Sequence, residues 1–351
     1  MPHIETSHAD APGAAIGGLR PGDRSEPPRI AIIGAGVTGI SCAEALRKAG
    51  LDATLYEKSR SQGGRLATRR NQAGDQFDHG AQYITSRTPQ FGLWLDTLRV
   101  AGSAAVWEPR LGDAAKTTHH PWLVGSPGMN ALMQPLAGAL DIRLQSTISA
   151  VTRDGSGWQL VTAETALPAS FDMVISTLPC PQAHALLDAE PALQAQLAPV
   201  TIAPCWALMI SLDAALGVDF DARRFETGAI GWMARQASRP GAHGASNTWV
   251  VHASASWSAD HLELSAEEVT AALLRELVSV TGHTLAHVSF AQAHRWRFGM
   301  TTHALGQPFL ANADGTLFVA GDWCLGARVE CAYESGVAVA QAVAERWKRL
   351  P

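Results

Sequence analysis

The chain has 351 residues, of which 46% are apolar and 17% charged, with a formal net charge of −5. These values predict one large or two smaller folded domains and exclude global disorder. The arginines form no run longer than the pairs Arg69–Arg70 and Arg223–Arg224, so nucleic-acid binding has no electrostatic support.

Residues 1–28 are rich in Ala, Gly, Pro and charge and lack the apolar segment of a secretory signal, so we expect a disordered leader. Pro191–Leu212 lacks charge over a membrane-spanning length, but it contains three prolines and ends in a segment typical of a buried strand. We therefore predict no membrane association. Five dispersed cysteines without CxxC spacing predict reduced thiols in a cytoplasmic protein, and no metal-site spacing is present.

The first predicted elements form a β–α–β unit. RIAII (29–33) is typical of a buried parallel strand, and GAGVTG (34–39) follows it directly. A helix is predicted from about Thr38 to Ala49 and a second strand over DATLY (52–56), which ends at Glu57. The strand, glycines, helix, second strand and acid stand in the order that predicts a dinucleotide site.

Each residue type in this unit has a physical task. Gly34 allows a tight turn, Gly36 lets the backbone approach a pyrophosphate at a helix N-terminus, and Gly39 permits close packing of helix and strand. Glu57 can accept hydrogen bonds from ribose hydroxyls. The cofactor contacts predicted here are Gly34, Gly36, Val37, Thr38, Gly39, Glu57 and Lys58.

Six segments along the chain resemble bacterial renalase-type flavoproteins: GAGVTGISCAEALRKAG (34–50), GGRLATRR (63–70), DHGAQYIT (78–85), SPGMNALMQPLA (126–137), HRWRF (294–298) and GDWCLGARVECAYESG (321–336). The combination of DHGAQY, HRW and GDW is the specific part of this resemblance. It implies noncovalent FAD and an α/β (α+β) fold similar to p-hydroxybenzoate hydroxylase and the amine oxidases. It also implies oxidation of the 2- and 6-dihydro isomers of NAD(P) to NAD(P)+, with O2 converted to hydrogen peroxide.

The resemblance assigns further cofactor contacts. It implies that Arg65 approaches the FAD phosphates, that the Gly80–Ala81 turn lies beside the flavin ring, and that Asp322 meets the ribityl chain. A helix from about Glu330 would point its N-terminus at the flavin. The full set is Gly64, Arg65, Gly80, Ala81, Gln82, Tyr83, Ile148, Thr177, Leu178, Gly321, Asp322, Arg328, Val329 and Ala332.

The domain prediction follows from the positions of these motifs. A Rossmann-like FAD-binding domain is assigned to residues 29–95, 141–184 and 304–351. A second, mixed-sheet substrate domain is assigned to 96–140 and 185–303, which hold seven of the eleven tryptophans. Ser265, followed by Glu three residues on, predicts a capped amphipathic helix over 265–280. The oligomeric state is left open.

Three chemistries remain open: oxidation of dihydronicotinamides, oxidation of amines or a related dehydrogenation, and flavin binding without turnover. Amine oxidases of this fold use a lysine near the flavin and often two flanking tyrosines. The chain has no lysine between 117 and 347 and only three tyrosines, and Arg328 stands where such an enzyme has a tyrosine.

A dihydronicotinamide loses hydride and becomes an aromatic pyridinium, so its oxidation requires no general base. No catalytic residue is assigned, and Tyr83, Trp296 and Arg328 are candidates for the substrate pocket. Phosphates of such a substrate would attract cations, for which Arg295, Arg297 and Arg328 are candidates; a surface salt bridge is the alternative role for each.

Overall fold

A computed structural model describes residues 27–112, 120–155, 157–245, 247–285 and 287–349. The predicted leader (1–28) therefore lies outside the described residues except for its last two positions. Across the described ranges, no helix is long and apolar enough to cross a membrane.

Strands make up most of the ordered structure. In the first half of the described chain they are β1 (Ile30–Ile33), β2 (Ala53–Tyr56), β3 (Thr68–Arg70), β4 (Gln76–Asp78), β5 (Ala104–Trp107), β6 (Trp122–Gly125), β7 (Asp141–Arg143), β8 (Ile148–Asp154) and β9 (Gly157–Thr162). The later strands are β10 (Ala166–Phe171), β11 (Met173–Ser176), β12 (Thr201–Leu212), β13 (Ala222–Arg224), β14 (Ile230–Arg235), β15 (Thr248–Ala253), β16 (Val288–His303), β17 (Phe309–Ala311) and β18 (Leu317–Ala320).

The α-helices of the described residues are α1 (Val37–Lys48), α2 (Pro89–Val100), α3 (Gln134–Ala137), α4 (Cys180–His184), α5 (Pro191–Ala195), α6 (Ala255–Asp260), α7 (Ala266–Thr281) and α8 (Val329–Arg349). Short 3₁₀ turns occupy Gly64–Leu66, Met129–Met133, Gln236–Ser238 and Asp322–Cys324. The predicted capping box is confirmed: the Ser265 side chain accepts from the Glu268 N–H, and the Glu268 side chain accepts from the Ser265 N–H.

A six-stranded sheet with the order β17-β18-β11-β1-β2-β7 forms the first layer. All of its pairings are parallel except that of β17 with β18. β1, β11 and β18 are buried along their whole length, as expected for the centre of a parallel sheet covered on both faces. Ile33 lies level with Tyr56 and Ser176, so the segments that follow these strands meet at one edge.

The two faces of this sheet are covered differently. α1 and α8 pack on one face, where Ile30 and Ile32 share a core with Ile40 and Val339. The three-stranded antiparallel sheet β10-β9-β8 lies on the other face, around a second core that includes Ala31 and Ile33. Residues 141–151 hold two strands rather than one, because Gln145 adopts a positive φ between β7 and β8, which belong to different sheets.

A five-stranded sheet with the order β13-β14-β15-β12-β16 forms the second part of the molecule. The pairings between its strands are all antiparallel, and an isolated parallel bridge joins Leu111 to Ala222 of β13. β15 and β16 flank β12 and are connected through α6 and α7. α7 packs on one face through Val269, Leu273 and Leu277. The β3–β4 hairpin lies on the other, where Phe77 stacks on Phe290.

The strands of the six-stranded sheet come from 29–95, 141–184 and 304–351, and those of the five-stranded sheet from 185–303. The division into domains stays a prediction, and its boundary at 95–96 falls inside α2.

Candidate functional site

The glycine-rich turn lies at the carboxyl edge of the six-stranded sheet. Gly34 has φ +103° and donates its N–H to Tyr56 O at 2.8 Å. A Cβ on Gly39 would lie 2.0 Å from Gly34 O, so helix and strand contact there without room for a side chain. A Cβ on Gly36 would meet nothing within 4 Å, which leaves space for a ligand in front of it.

The N-terminus of α1 is built to receive an anion. Its N-cap is Gly36, so no side chain caps the first N–H groups, and no acidic residue lies in the first turn. Val37 and Thr38, the first helical residues, are buried. Backbone donors without a side-chain cap and the positive end of the helix dipole together suit a pyrophosphate. The cradle at Gly36 thus fits the phosphates of a dinucleotide.

Glu57 closes the opposite side of this turn. Its carboxylate accepts from the Ala35 N–H at 2.9 Å and from the Ser59 N–H at 2.8 Å. It is buried, whereas Lys58 beside it is exposed. Glu57 therefore shapes the glycine turn, and its bond to a ribose stays a prediction.

Two more predicted contacts lie beside the same turn. The Thr177 hydroxyl lies 3.0 Å from the carbonyl oxygens of both Ile33 and Gly34, to either of which it can donate, and Leu178 O accepts from the Trp323 indole at 3.0 Å. Ile148 is buried at the start of β8, and the nearby Ser146 N–H donates to Glu57 O at 2.9 Å. The segments around Ile148 and Thr177 thus flank the turn from two sides.

Arg65 and Asp322 form a bidentate ion pair across the site. Arg65 Nη1 donates to Asp322 Oδ2 at 2.9 Å and Nη2 to Oδ1 at 2.6 Å. Arg65 also donates to Gly299 O at 3.2 Å. Sequence reasoning assigned the two side chains to separate parts of the cofactor. The structure instead joins them directly, so each orients the other.

The glycines around this pair are constrained by backbone contacts. Gly64 has φ +55°, and a Cβ there would lie 3.5 Å from Gly36 Cα, which brings the GG loop onto the first motif. A Cβ on Gly80 would lie 2.0 Å from Arg65 O, which also accepts from the Ala81 N–H at 2.8 Å. Gly321 donates its N–H to the Ser335 hydroxyl at 2.9 Å.

Gln82 and Tyr83, predicted to lie at the flavin, make extensive contacts within the protein. The Gln82 amide oxygen accepts from the Trp232 indole at 3.2 Å and from Arg239 at 2.9 Å. Tyr83 stacks on Trp122, with ring centroids 3.9 Å apart. The Gln82 side chain therefore links the DHGAQY segment to the five-stranded sheet.

At the far end of the chain, α8 begins at Val329, one residue before the predicted start, and Ala332 lies in its first turn. Arg328 Nη2 is 3.3 Å from Glu330 Oε2. Glu330 is fully buried, and its Oε1 accepts from the Arg87 and Thr88 N–H groups at 2.8 Å each. Sequence reasoning missed this role of Glu330, although an acid in the first helical turn was the available signal.

A cluster of three histidines was also missed. The His79 ring packs against His294 at 4.8 Å and against Trp296 at 5.1 Å. His79 O lies 2.9 Å from Trp296 Nε1, which donates to it, and 3.1 Å from His252 Nε2. Two of these histidines lie inside the quoted DHGAQY and HRW motifs, which was the available signal; His252 has no such context.

These histidines are neutral at physiological pH. Burial, together with His294 and Arg69, lowers the pKa of His79 to about 3. Burial, aided by the charge of Arg69, lowers the pKa of His294 to about 4. Burial also lowers the pKa of His252 to about 4. In addition, His79 Nδ1 is buried without a hydrogen-bond partner in the described part of the chain. No group of His, Cys, Asp or Glu among the described residues could hold a metal ion.

Two family profiles match the chain. One describes an NAD(P)-binding Rossmann-like domain and covers residues 32–98, and the other describes a flavin containing amine oxidoreductase and covers residues 90–344. A 70-residue segment is 39% identical to protoporphyrinogen oxidase 2, chloroplastic/mitochondrial, of Arabidopsis thaliana. That match covers 20% of this chain and only 14% of the plant protein.

Solved structures resemble the whole fold. A putative protoporphyrinogen oxidase from Exiguobacterium sp. 255-15 has a TM-score of 0.72 at 14% identity, covering 91% of this chain and 99% of that one. Cyclohexylamine oxidase from Brevibacterium oxydans IH-35A has a TM-score of 0.69 at 14% identity, covering 92% of this chain and 100% of that one. A putrescine oxidase triple mutant has a TM-score of 0.70 at 15% identity, covering 91% of this chain and 99% of that one. These likenesses confirm the α/β fold with a Rossmann-like unit and a second, sheet-rich part.

Proposed function

Because the chain belongs to the flavin containing amine oxidoreductase family, whose profile covers residues 90–344, we propose that it is an oxidase of 2- and 6-dihydro-NAD(P) isomers. The family makes it an FAD-dependent oxidoreductase. When bound, FAD supplies a two-electron acceptor for the substrate's hydride that O2 reoxidises, giving hydrogen peroxide.

The side chains around the glycine turn fit this cofactor. The open space at Gly36 and the uncapped start of α1 would hold the pyrophosphate, and Glu57 would hold the adenosine ribose. Asp322, fixed by Arg65, would accept from the ribityl hydroxyls. The first N–H groups of α8, at Val329, would stabilise negative charge on the flavin.

One observation carries the choice of substrate: residues 117–347 contain no lysine. The histidines near the candidate flavin face do not replace it as a base, because a group with a pKa of about 3 or 4 accepts a proton poorly at neutral pH. Oxidation of a dihydronicotinamide forms an aromatic ring without proton removal. It therefore needs only that the donor carbon is held close to the flavin.

Amine oxidation is the second candidate, and it is favoured by the family description and by the likeness to putrescine and cyclohexylamine oxidases. The positions of the tyrosines argue against amine oxidation. Tyr83 stacks on Trp122, and Tyr333 is buried beside Phe91 and Trp94, so these tyrosines do not form a facing pair.

Anaerobic stopped-flow mixing of the FAD holoenzyme separates these candidates. The substrates are 2- and 6-dihydro-NAD(P), ordinary 4-dihydro-NAD(P)H, putrescine, cyclohexylamine and protoporphyrinogen. We expect rapid loss of flavin absorbance with the 2- or 6-dihydro isomers alone. Reduction by an amine or by protoporphyrinogen alone would overturn the proposal, and no reduction by any of them would indicate flavin binding without turnover.

A further inference from the structure

β16 presents two chemically different faces. Side chains alternate along a strand, so Gln292, His294 and Trp296 share one face. Arg295 and Arg297 share the other, where both meet Glu263: Arg295 at 3.3 Å, and Arg297 through two bonds of 2.7 and 2.9 Å. The two arginines that sequence reasoning offered to a substrate phosphate are therefore turned away from the histidine cluster and share the carboxylate of Glu263.

A different arginine occupies the histidine face. The β3–β4 hairpin is held on the five-stranded sheet by Phe77, which carries Arg69 across to β16. Arg69 Nη2 donates to His294 Nδ1 at 3.2 Å, and Nη1 donates to Gln292 Oε1 at 3.4 Å. Because arginine can only donate, His294 Nδ1 must be unprotonated, which agrees with its lowered pKa.

The charge of Arg69 has no counterion in the part of the chain that the structure describes. Its hydrogen-bond partners among the described residues are an amide and a neutral imidazole. Arg65, Arg295, Arg297 and Arg328, by contrast, each pair with a carboxylate. Arg69 is also exposed. A solvent-accessible guanidinium oriented by neutral groups is free to form a bidentate contact with an anion.

The side chains behind Arg69 are aromatic, and one of them has a polar atom without a hydrogen-bond partner. His79, only 2% exposed, packs against Trp296 and His294, and its Nδ1 has no partner among the described residues. A buried polar atom without a partner costs free energy unless a ligand completes it.

We propose that Arg69, with the wall formed by His79, His294 and Trp296, is the subsite that binds the phosphate-bearing part of a dinucleotide substrate. The exposed Arg69 contacts a phosphate oxygen of the dinucleotide, and the neutral aromatic wall contacts a planar ring of the same molecule. This assignment rests on the proposed function for the identity of the dinucleotide. It replaces Arg295 and Arg297 as the cations responsible for substrate charge.

The test compares Arg69→Gln and Arg69→Lys with Arg70→Gln in the FAD holoenzyme. Arg70 is the next residue of β3, so Arg70→Gln removes the same charge one position away. Calorimetric titration with ADP-ribose, which carries a pyrophosphate and no nicotinamide, needs no turnover. Loss of a charge-assisted contact predicts that Arg69→Gln weakens binding about tenfold or more, with Arg69→Lys intermediate and Arg70→Gln within about twofold of wild type.

Steady-state kinetics supply a second readout. Arg69→Gln raises KM for dihydro-NAD with little change in kcat, and leaves KM for the corresponding phosphate-free riboside unchanged. Wild-type flavin spectra and thermal midpoints of the variants establish that they are folded. The inference is overturned if wild type does not bind ADP-ribose, if Arg69→Gln binds it like wild type, or if the Arg70 control loses as much affinity.

The same data separate this inference from the proposed function. Arg69-dependent binding of ADP-ribose without oxidation of any dihydronicotinamide would sink the proposed function and keep the subsite. Oxidation of the 2- or 6-dihydro isomers with no effect of Arg69→Gln would keep the proposed function and overturn the subsite.

Discussion

At the scale of single residues, the site depends on pairs whose members lie far apart in the sequence. Arg65 and Asp322 are 257 positions apart and form two hydrogen bonds. The side chain of Asp322 is 8% exposed and that of Arg65 31%. A carboxylate held by an arginine presents its remaining lone pairs in a fixed direction, which suits a group that must accept from a cofactor hydroxyl.

Asp322→Asn is expected to weaken FAD binding about tenfold or more, because it removes a charged acceptor and leaves Arg65 without a counterion. The measurements are the flavin-to-protein absorbance ratio after gel filtration and an FAD titration of the apoprotein. Asp314→Asn is the matched control, since Asp314 pairs with Arg153 away from the glycine turn. Full flavin retention in Asp322→Asn would refute the role given to Asp322.

Glu330→Ala is expected to lower the free energy of unfolding by about 2–4 kcal/mol, because it leaves the Arg87 and Thr88 N–H groups without their acceptor and Arg328 without its counterion. Glu330→Gln keeps an acceptor oxygen and should lose less. Urea unfolding of the holoenzyme at saturating FAD measures both. Equal stability of Glu330→Ala and wild type would show that these contacts contribute nothing.

At the scale of elements, the site forms where parallel strands end and two helices begin. β1, β11 and β18 run side by side, so the segments after Ile33, Ser176 and Ala320 converge at one edge. α1 and α8 pack against each other on one face of this sheet. Any change in their spacing therefore moves two helix N-termini that are predicted to face the cofactor.

Gly336→Ala tests this packing. A Cβ at Gly336 would lie 2.4 Å from Thr38 O, so α8 must move away from α1. We expect a loss of about 1–3 kcal/mol in unfolding free energy from overpacking, together with weaker FAD binding. Gln341→Ala, on the exposed side of α8, should change neither. A Gly336→Ala protein with wild-type stability and FAD affinity would contradict the proposed coupling.

At the scale of the whole molecule, the two sheets meet through the DHGAQY segment. Its Gly80 packs on the Arg65 backbone, Gln82 bonds to Trp232 of β14, and His79 O accepts from Trp296 of β16. Buried polar groups are concentrated at this junction. The pH dependence of stability should report on this junction, because three histidines with lowered pKa values lie there: His79, His252 and His294.

The free energy of unfolding should fall as pH drops below about 6.5. Between that value and a native pKa of about 4, the unfolded chain binds a proton at His252 that the native state does not, so stability rises with pH in this window. His252→Gln keeps a donor near the Nε2 position and removes the titration. We expect wild type to lose on the order of 2 kcal/mol more than His252→Gln between pH 7.5 and pH 5.

Urea unfolding at fixed, saturating FAD across this pH range measures the difference. Parallel stability curves for wild type and His252→Gln would show that His252 is not buried in its neutral form.

Local patterns in the sequence determined the β–α–β unit, the glycine turn with Glu57 and the capping box of α7. Such features are predictable because backbone conformation, helix capping and strand burial depend on residues within a few positions of each other. The turn at Gln145, which divides 141–151 into two strands, is harder to predict because no glycine marks it.

Only the tertiary structure decided which polar groups meet. The Arg65–Asp322 pair, the cluster of His79, His252 and His294, and the choice of Arg69 over Arg295 as the cation without a counterion all join distant segments. Strand alternation could place Arg295 and His294 on opposite faces, but not say which face meets the hairpin. That choice follows from how the two sheets pack, where burial of Phe77 against Phe290 sets the position of Arg69.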